Sequence, residues 1–161
     1  VAIINKAIEG DTAQKFILYV GGEERVRWNT STGREKWEVA KSGRKYKTTT
    51  PTGYYRPTLV KENHYSQTWK TNLQWVVFFI GGVATHATSE DHYDELGKRA
   101  SGGCVRLRLD QADEFFDLVT DADKREVESW ARDGTVITKN GFPVITTNWD
   151  TTIIVRNREG E

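Results

Sequence analysis

Two pairs of apolar runs, each pair joined through two glycines, limit the folds open to this chain. Their lengths and their β-branched and aromatic residues are typical of strands, and a Gly-Gly link is typical of a hairpin turn. The first pair covers residues 16–20 and 26–28 around Gly21-Gly22, and the second covers residues 75–80 and 83–86 around Gly81-Gly82. The sequence therefore predicts two β-hairpins, with His86 at the end of the second.

The periodicity of apolar residues changes after Val105. One helix face, with Asp110 as its N-cap, is predicted from Ala112, Phe115, Phe116 and Val119. A second helix is predicted around residues 124–131, where Val127, Trp130 and Ala131 fall on one side, and residues 151–155 are predicted to form a last strand. We expect a mainly β domain with one or two helices after Cys104, the first of them packed on a sheet.

Length and charge restrict the organisation and the partners of the chain. At 161 residues we expect one domain over 1–161, with a core of about 16–138 and a C-terminal extension of about 139–161. Lys plus Arg and Asp plus Glu both number 23, so there is no overall basic field to attract nucleic acid. No run reaches the roughly 18 apolar residues of a membrane-spanning helix, so no integral membrane segment is predicted. Because the chain has no methionine, we expect upstream sequence.

Cys104 is the only cysteine, which excludes an internal disulfide and leaves a buried structural thiol or a reactive one. It follows Ser101, Gly102 and Gly103. Glycines allow a sharp turn and a close approach of the backbone to a ligand. The amides of Gly103 and Cys104 would then be free to face a developing oxyanion. The alternative is a glycine turn that carries a small buried cysteine.

A nucleophilic thiol needs a base, because its ordinary pKa of about 8.5 leaves it protonated at neutral pH. The candidates are His64, His86 and His92. His86 ends a predicted strand, and the polar segment 87–100 leads from it back to Cys104, so we favour His86 over a solvated histidine in a loop. A structural, hydrogen-bonded role for His86 stays open. Zinc would require paired ligands a few residues apart, which the sequence lacks, so we predict no metal and no cofactor.

Residues 86–107 resemble the active-site signature of the L,D-transpeptidase catalytic domain of the YkuD type, in which a histidine precedes a Ser-x-Gly-Cys-Ile/Val-Arg motif. Two upstream motifs of that family also match, namely Ser31-Thr32-Gly33 and Thr50-Pro51-Thr52-Gly53. The motifs occur in the family's order from about residue 16 to residue 138. Several motifs in one order are more specific than a lone cysteine.

The resemblance implies a β-sandwich-like domain that acts on the peptide stems of peptidoglycan. Cys104 would attack a tetrapeptide stem, with His86 as base and the Gly103 and Cys104 amides as oxyanion donors. The thioester would pass to the side-chain amine of a second stem and join two third-position residues. The resemblance also implies a periplasmic or cell-envelope enzyme that is a carbapenem target, exported by a leader or anchor ahead of Val1.

Other residues of the motif receive roles from the same resemblance. Arg106 would bind a substrate carboxylate or form a structural salt bridge. Ser101 would orient His86 or the substrate, or would cap the turn. Gly102 stands where many relatives carry histidine and is grouped with the substrate-binding residues. The simplest group to orient His86 is a backbone carbonyl near Ala87. Aromatic residues predicted to cover the stem are Trp69, Tyr65, Tyr54 and Tyr55.

Alternative functions remain open at the level of sequence. Water as acceptor would make the chain an L,D-carboxypeptidase, and a protein or a free D-amino acid could also resolve the thioester. A peptidoglycan-binding module of the same fold without turnover is a different class. An unrelated cysteine peptidase would need an acidic or amide partner for His86, and no residue is identified for it. The oligomeric state is open.

Overall fold

A computed structural model describes residues 1–161 and is built mainly of short strands. One α-helix, α1 (Leu109–Thr120), follows Cys104, and one 3₁₀ helix (Glu90–Glu95) precedes it. The strands in chain order are β1 (Ala2–Asn5), β2 (Lys15–Val20), β3 (Glu23–Asn29), β4 (Trp37–Val39), β5 (Lys45–Lys47), β6 (Gly53–Tyr55), β7 (Leu59–Ser66), β8 (Thr71–Ile80), β9 (Val83–Ala87), β10 (Val105–Leu107), β11 (Arg125–Glu128), β12 (Thr138–Lys139), β13 (Phe142–Pro143), β14 (Ile145–Asn148) and β15 (Ile153–Arg156).

Two larger sheets carry the domain. The first has the strand order β3-β2-β1-β15-β6, and the second has the order β10-β9-β8-β7. Both predicted hairpins are confirmed, because β2 pairs antiparallel with β3 and β8 pairs antiparallel with β9. The predicted final strand is also present as β15, which runs parallel to β1.

The centre of the first sheet comes from the two ends of the chain. β1 and β15 lie side by side there, outside the range 16–138 assigned to the core from sequence. Ala2, Ile4, Ile153 and Val155 are at most 2% exposed. The ends of the chain therefore supply a central part of the hydrophobic core.

The core lies between the two sheets and α1. Phe16 of the first sheet meets Phe115 of α1 edge to face, with ring centroids 5.0 Å apart. Tyr55 of the first sheet contacts Phe79 of the second at 5.3 Å. The mainly β, sandwich-like fold predicted from sequence is confirmed, with one α-helix after Cys104.

The first predicted helix is confirmed in its position and in its buried face. Ala112, Phe115, Phe116 and Val119 are all buried. Asp110 lies in the first turn and is not the N-cap, since the helix begins at Leu109 and the Arg108 amide donates to Gln111 Oε1. No helix of the structure has the length and apolar character that crossing a membrane demands.

The second predicted helix is wrong. Residues Arg125–Glu128 form β11, which pairs antiparallel with β14. Val127 is the one buried residue of this strand, between exposed charged neighbours, which fits an edge with a single inward side chain. Residues 127, 130 and 131 have helical spacing but do not form a helix. The strand β14, distant in sequence, supplies hydrogen-bond partners to β11, and local periodicity does not reveal such partners.

Candidate active site

Cys104 and His86 lie on neighbouring segments of one sheet, because Cys104 immediately precedes β10 and His86 belongs to β9. β10 pairs with β9 so that Arg106 lies opposite His86 and Val105 lies opposite Thr85. Side chains alternate between the two faces of a strand, so Arg106 and His86, which are paired in register, share a face. The thiol of Cys104 lies 3.7 Å from the carbonyl oxygen of Gly82, at the start of the same hairpin strand.

The Cys104 thiol is half-buried at the end of the glycine turn. Burial raises the pKa of the thiol, and the Ala84 amide and the Arg106 charge only partly oppose this effect. A thiol with a raised pKa is protonated at neutral pH and needs a base to become a nucleophile. The imidazole of His86, on the neighbouring strand, is the candidate base.

His86 is buried and fixed by its own strand. Its Nδ1 lies 2.7 Å from the carbonyl oxygen of Ala87, which confirms the expectation that this carbonyl orients the ring. A carbonyl can only accept, so Nδ1 carries the proton and Nε2 keeps its lone pair. Burial lowers the pKa of His86 to about 4, with a further contribution from the Arg106 charge, against the opposing effect of the Ala87 carbonyl. The ring is therefore neutral at physiological pH and can accept a proton.

The glycine turn is held by Ser101. Its hydroxyl donates to the carbonyl oxygen of Cys104 at 2.5 Å and accepts from the amide of Gly103 at 3.1 Å. Ser101 thus caps the turn and is not aimed at His86 or at a substrate. The Gly103 amide is already in use, which corrects the prediction that it is free to bind an oxyanion. The amide of Cys104 donates no hydrogen bond and is the available donor beside the sulfur.

The threonine of the upstream TPTG motif clamps the same turn. Thr50 Oγ1 donates to the carbonyl oxygen of Gly103 at 2.6 Å and accepts from the Gly33 amide at 2.9 Å. Gly103 has φ +127°, and a Cβ there would lie 2.9 Å from the carbonyl oxygen of Thr49. Only glycine suits that backbone conformation. The two upstream motifs therefore meet at the turn that presents Cys104.

An aromatic wall lies beside Gly102. A Cβ on Gly102 would lie 2.5 Å from the Trp69 ring, and the Tyr46 hydroxyl donates to the carbonyl oxygen of Gly102 at 2.7 Å. Trp69 is therefore the aromatic residue of the predicted set that contacts the Cys104 loop. Tyr55 instead packs in the core and donates to the Pro51 and Thr52 carbonyls. Gly102 itself makes room for the indole.

Two predicted cover residues lie elsewhere. Tyr65 is 47% exposed on β7, and Tyr54 packs against Gly134. Tyr46 was not singled out from sequence, and its position in a charged segment, with lysine on both sides, gave no signal for a role at Gly102.

Arg106 forms an ion pair and does not point freely toward a ligand. Its Nη1 lies 2.5 Å from Glu95 Oε2, at the end of the 3₁₀ helix. Of the two readings of this arginine, the structural salt bridge is the one present. His92 contacts the same carboxylate at 3.3 Å, and His64 packs against Phe78 at 5.1 Å. Neither histidine accompanies Cys104, and no group of three or more His, Cys, Asp or Glu side chains lies together in a way that could hold a metal ion.

The fold and these motifs agree with a comparison against protein families. Residues 5–145 match the model of the YkuD family, described as an L,D-transpeptidase catalytic domain. The chain belongs to this family. No curated protein matches this YkuD domain significantly.

L,D-transpeptidases are among the solved structures similar to this YkuD domain. They include the enzyme from Xylanimonas cellulosilytica (21% identity, TM-score 0.60, covering 96% of this chain and 58% of that one). Another is from Mycobacterium smegmatis, with 17% identity and a TM-score of 0.61, covering 96% of this chain and 58% of that one. A third is LdtMt1 in complex with imipenem (17%, 0.60, 96% and 58%). The YkuD domain thus spans less than two thirds of the chains it resembles, and the likeness at these identities is one of fold.

A largely buried ion pair between Lys6 and Glu35 supports the Cys104 turn through Thr50. Lys6 Nζ lies 2.7 Å from Glu35 Oε1 and donates to the carbonyl oxygen of Thr50 at 2.9 Å. Glu35 also accepts from Thr49 Oγ1 at 2.8 Å and from the Thr50 amide at 3.2 Å. The pair therefore fixes Thr50, and Thr50 in turn holds Gly103.

The neutral state of His86 leads to a prediction for thiol reactivity. We expect alkylation of Cys104 by iodoacetamide to be assisted by His86 from pH 7 down to about pH 5, and to lose this assistance only near the His86 pKa of about 4. With His86→Gln the rate at pH 6 should fall about 100-fold and follow the thiolate fraction alone. A wild-type profile that inflects near pH 6.5, or one identical to the variant's, would contradict the assignment.

Proposed function

We propose that this YkuD domain is a peptidoglycan L,D-transpeptidase that forms a thioester on Cys104 with a tetrapeptide stem and transfers it to an amine acceptor. The observation that carries the proposal is the parallel pairing of β9, which contains His86, with β10, which begins immediately after Cys104. The family match supports the class of reaction.

Acylation proceeds by general-base catalysis between two neutral groups. His86 Nε2 takes the Sγ proton while the sulfur attacks the carbonyl between the third residue and the terminal D-residue of the stem. Negative charge develops on that carbonyl oxygen, and the Cys104 amide, which donates to no other group, is its proposed donor. The tetrahedral intermediate collapses, the C–N bond breaks, and the imidazolium returns its proton to the leaving amine of D-alanine.

Deacylation reverses these roles with a new amine. The side-chain amine of a second stem gives a proton to His86 and attacks the thioester carbonyl. The C–S bond then breaks, and the thiolate recovers a proton from the imidazolium. The product is an amide between the third residues of two stems. The energetic cost of charging a buried imidazole limits the imidazolium to a transient species.

The remaining site residues have positioning roles in this proposal. Ser101, Gly103 and Thr50 hold the turn, and Gly102 admits Trp69 beside it. Arg106 anchors the polar segment 88–98 to β10 through Glu95. We assign it this role in place of direct carboxylate binding, because its guanidinium already has an anionic partner.

The compartment, the inhibitors and the domain limits follow from the same proposal. A peptidoglycan substrate places the enzyme in the periplasm or cell envelope. A carbapenem would acylate Cys104, as the relative solved with imipenem suggests. We also propose that residues 1–161 form a single catalytic domain, because both chain ends contribute to one sheet of its core.

Purified disaccharide tetrapeptides, incubated with the protein and analysed by mass spectrometry, test the function. Cross-linked dimers with loss of D-alanine are the expected product. Trimmed tripeptides alone would assign the L,D-carboxypeptidase alternative. Exchange of the terminal residue for an added D-amino acid, without dimers, would assign the small-amine acceptor. No product, together with binding to peptidoglycan, would mean a module without turnover and would contradict the proposal.

A further inference from the structure

The β4–β5 hairpin presents an outer face that the proposed reaction does not use. Trp37 pairs with Lys47 and Val39 pairs with Lys45, so these four side chains share one side of the hairpin. Trp37 is 67% exposed and Val39 is 64% exposed. Trp37 and Val39 therefore form a small exposed apolar patch on this side of the hairpin.

Positive charge concentrates on the same hairpin. Five exposed cations lie within residues 36–47 and form no salt bridge, namely Lys36, Lys41, Arg44, Lys45 and Lys47. Glu38, the only acidic residue of this stretch, pairs with Arg34, and the preceding Glu35 pairs with Lys6, so neither carboxylate offsets these cations. The chain as a whole has a formal net charge of zero, so the hairpin is a local excess of positive charge.

The opposite face of the hairpin is fixed to the body of the domain. Tyr46 donates to the carbonyl oxygen of Gly102, and Glu38 Oε2 lies 2.7 Å from Arg34 Nε. The Ser42 amide donates to the carbonyl oxygen of Thr68, which ties the hairpin loop to the β7–β8 turn. These contacts hold the hairpin against the domain with its outer face exposed to solvent.

We propose that this outer face, defined by Trp37, Val39, Lys45 and Lys47, binds the surface of an anionic lipid bilayer. Tryptophan favours the boundary between headgroups and acyl chains, and lysines and arginines are attracted by anionic headgroups. A soluble polyanion would be bound by the cations alone and would leave Trp37 and Val39 in water. The face is small, so the contact is peripheral and reversible.

Vesicle sedimentation tests this proposal with two lipid compositions. The whole chain is mixed with vesicles of phosphatidylglycerol and phosphatidylcholine, or of phosphatidylcholine alone. Binding to the anionic vesicles that weakens with added salt is expected, with none to the neutral ones. Lys45→Gln with Lys47→Gln should weaken partitioning about 25-fold, at about fivefold per lysine. Trp37→Ala should weaken it about tenfold through lost apolar burial.

A matched pair elsewhere controls for net charge. Lys61→Gln with Lys139→Gln removes two exposed lysines from β7 and β12 and should leave partitioning within about twofold of wild type. Equal losses in the two lysine pairs would overturn the proposal, as would a Trp37→Ala variant that binds like wild type, since a polyanion site would then suffice. Muropeptide turnover in solution should be the same in all these variants, which separates failure here from failure of the proposed function.

Discussion

Cys104→Ala is expected to abolish acylation by imipenem and to reduce product formation from tetrapeptide stems at least about 10⁴-fold. No other cysteine exists in the chain to replace the thiol. The free amide of Cys104 and the neutral ring of His86 remain in the variant, but neither can form a covalent intermediate. Intact-protein mass spectrometry after exposure to imipenem measures the adduct directly.

The fold of this variant should stay intact, because the thiol is half-buried and sits on a turn held by other groups. The thermal midpoint should change by less than about 3 °C. Cys104→Ser serves as the isosteric control and should also fail to form a stable adduct. A stable adduct in Cys104→Ala would place the reactive group elsewhere and would refute the role of Cys104.

Lys6→Met is expected to destabilise the protein by about 3 kcal/mol, since it leaves the Glu35 carboxylate partly buried without its cation. The side chains of Lys6 and Glu35 are only 10% and 19% exposed. Burial tends to raise the pKa of Glu35, but the hydrogen bonds from Lys6 and Thr49 outweigh it, and the pKa lies below its usual value. Urea unfolding at pH 7 gives the free energy. Acylation of Cys104 should slow as well, because Thr50 loses a donor to its carbonyl.

The double variant Lys6→Met with Glu35→Leu distinguishes destabilisation by an unpaired charge from destabilisation by altered packing. Removing both charges should restore most of the stability lost in Lys6→Met, since no uncompensated charge remains. It should not restore the acylation rate, because the double variant also removes the contacts of Thr49 and Thr50 with Glu35. A double variant as unstable as the single one would show that shape, and not charge, explains the effect.

Local patterns predicted the elements whose partners are near in sequence. The β8–β9 hairpin closes through Gly81-Gly82, and α1 carries its own amphipathic period, so both could be read directly. β11 could not, because its pairing partner β14 begins 17 residues after the last residue of β11 (145 − 128). The same limit hid the contact of β1 with β15.

The sequence supplied the candidate reacting groups of the site but not the residues that support them. Cys104 and His86 were proposed from a motif in which chemistry fixes residue types. The occupied Gly103 amide depends on the rotamer of Ser101, which a sequence does not specify. Lys6 and Glu35 lie 29 positions apart and read as ordinary surface charges until the fold brings them together.

Trapping the acyl-enzyme is the most direct test of the central claim that His86 activates Cys104 as the nucleophile. The protein is mixed with a disaccharide tetrapeptide, quenched in acid within seconds, and digested for peptide mapping. The account predicts a tripeptide stem in thioester linkage on Cys104, greatly reduced in His86→Gln. Turnover without any adduct on Cys104, or an adduct that accumulates equally in His86→Gln, would contradict it.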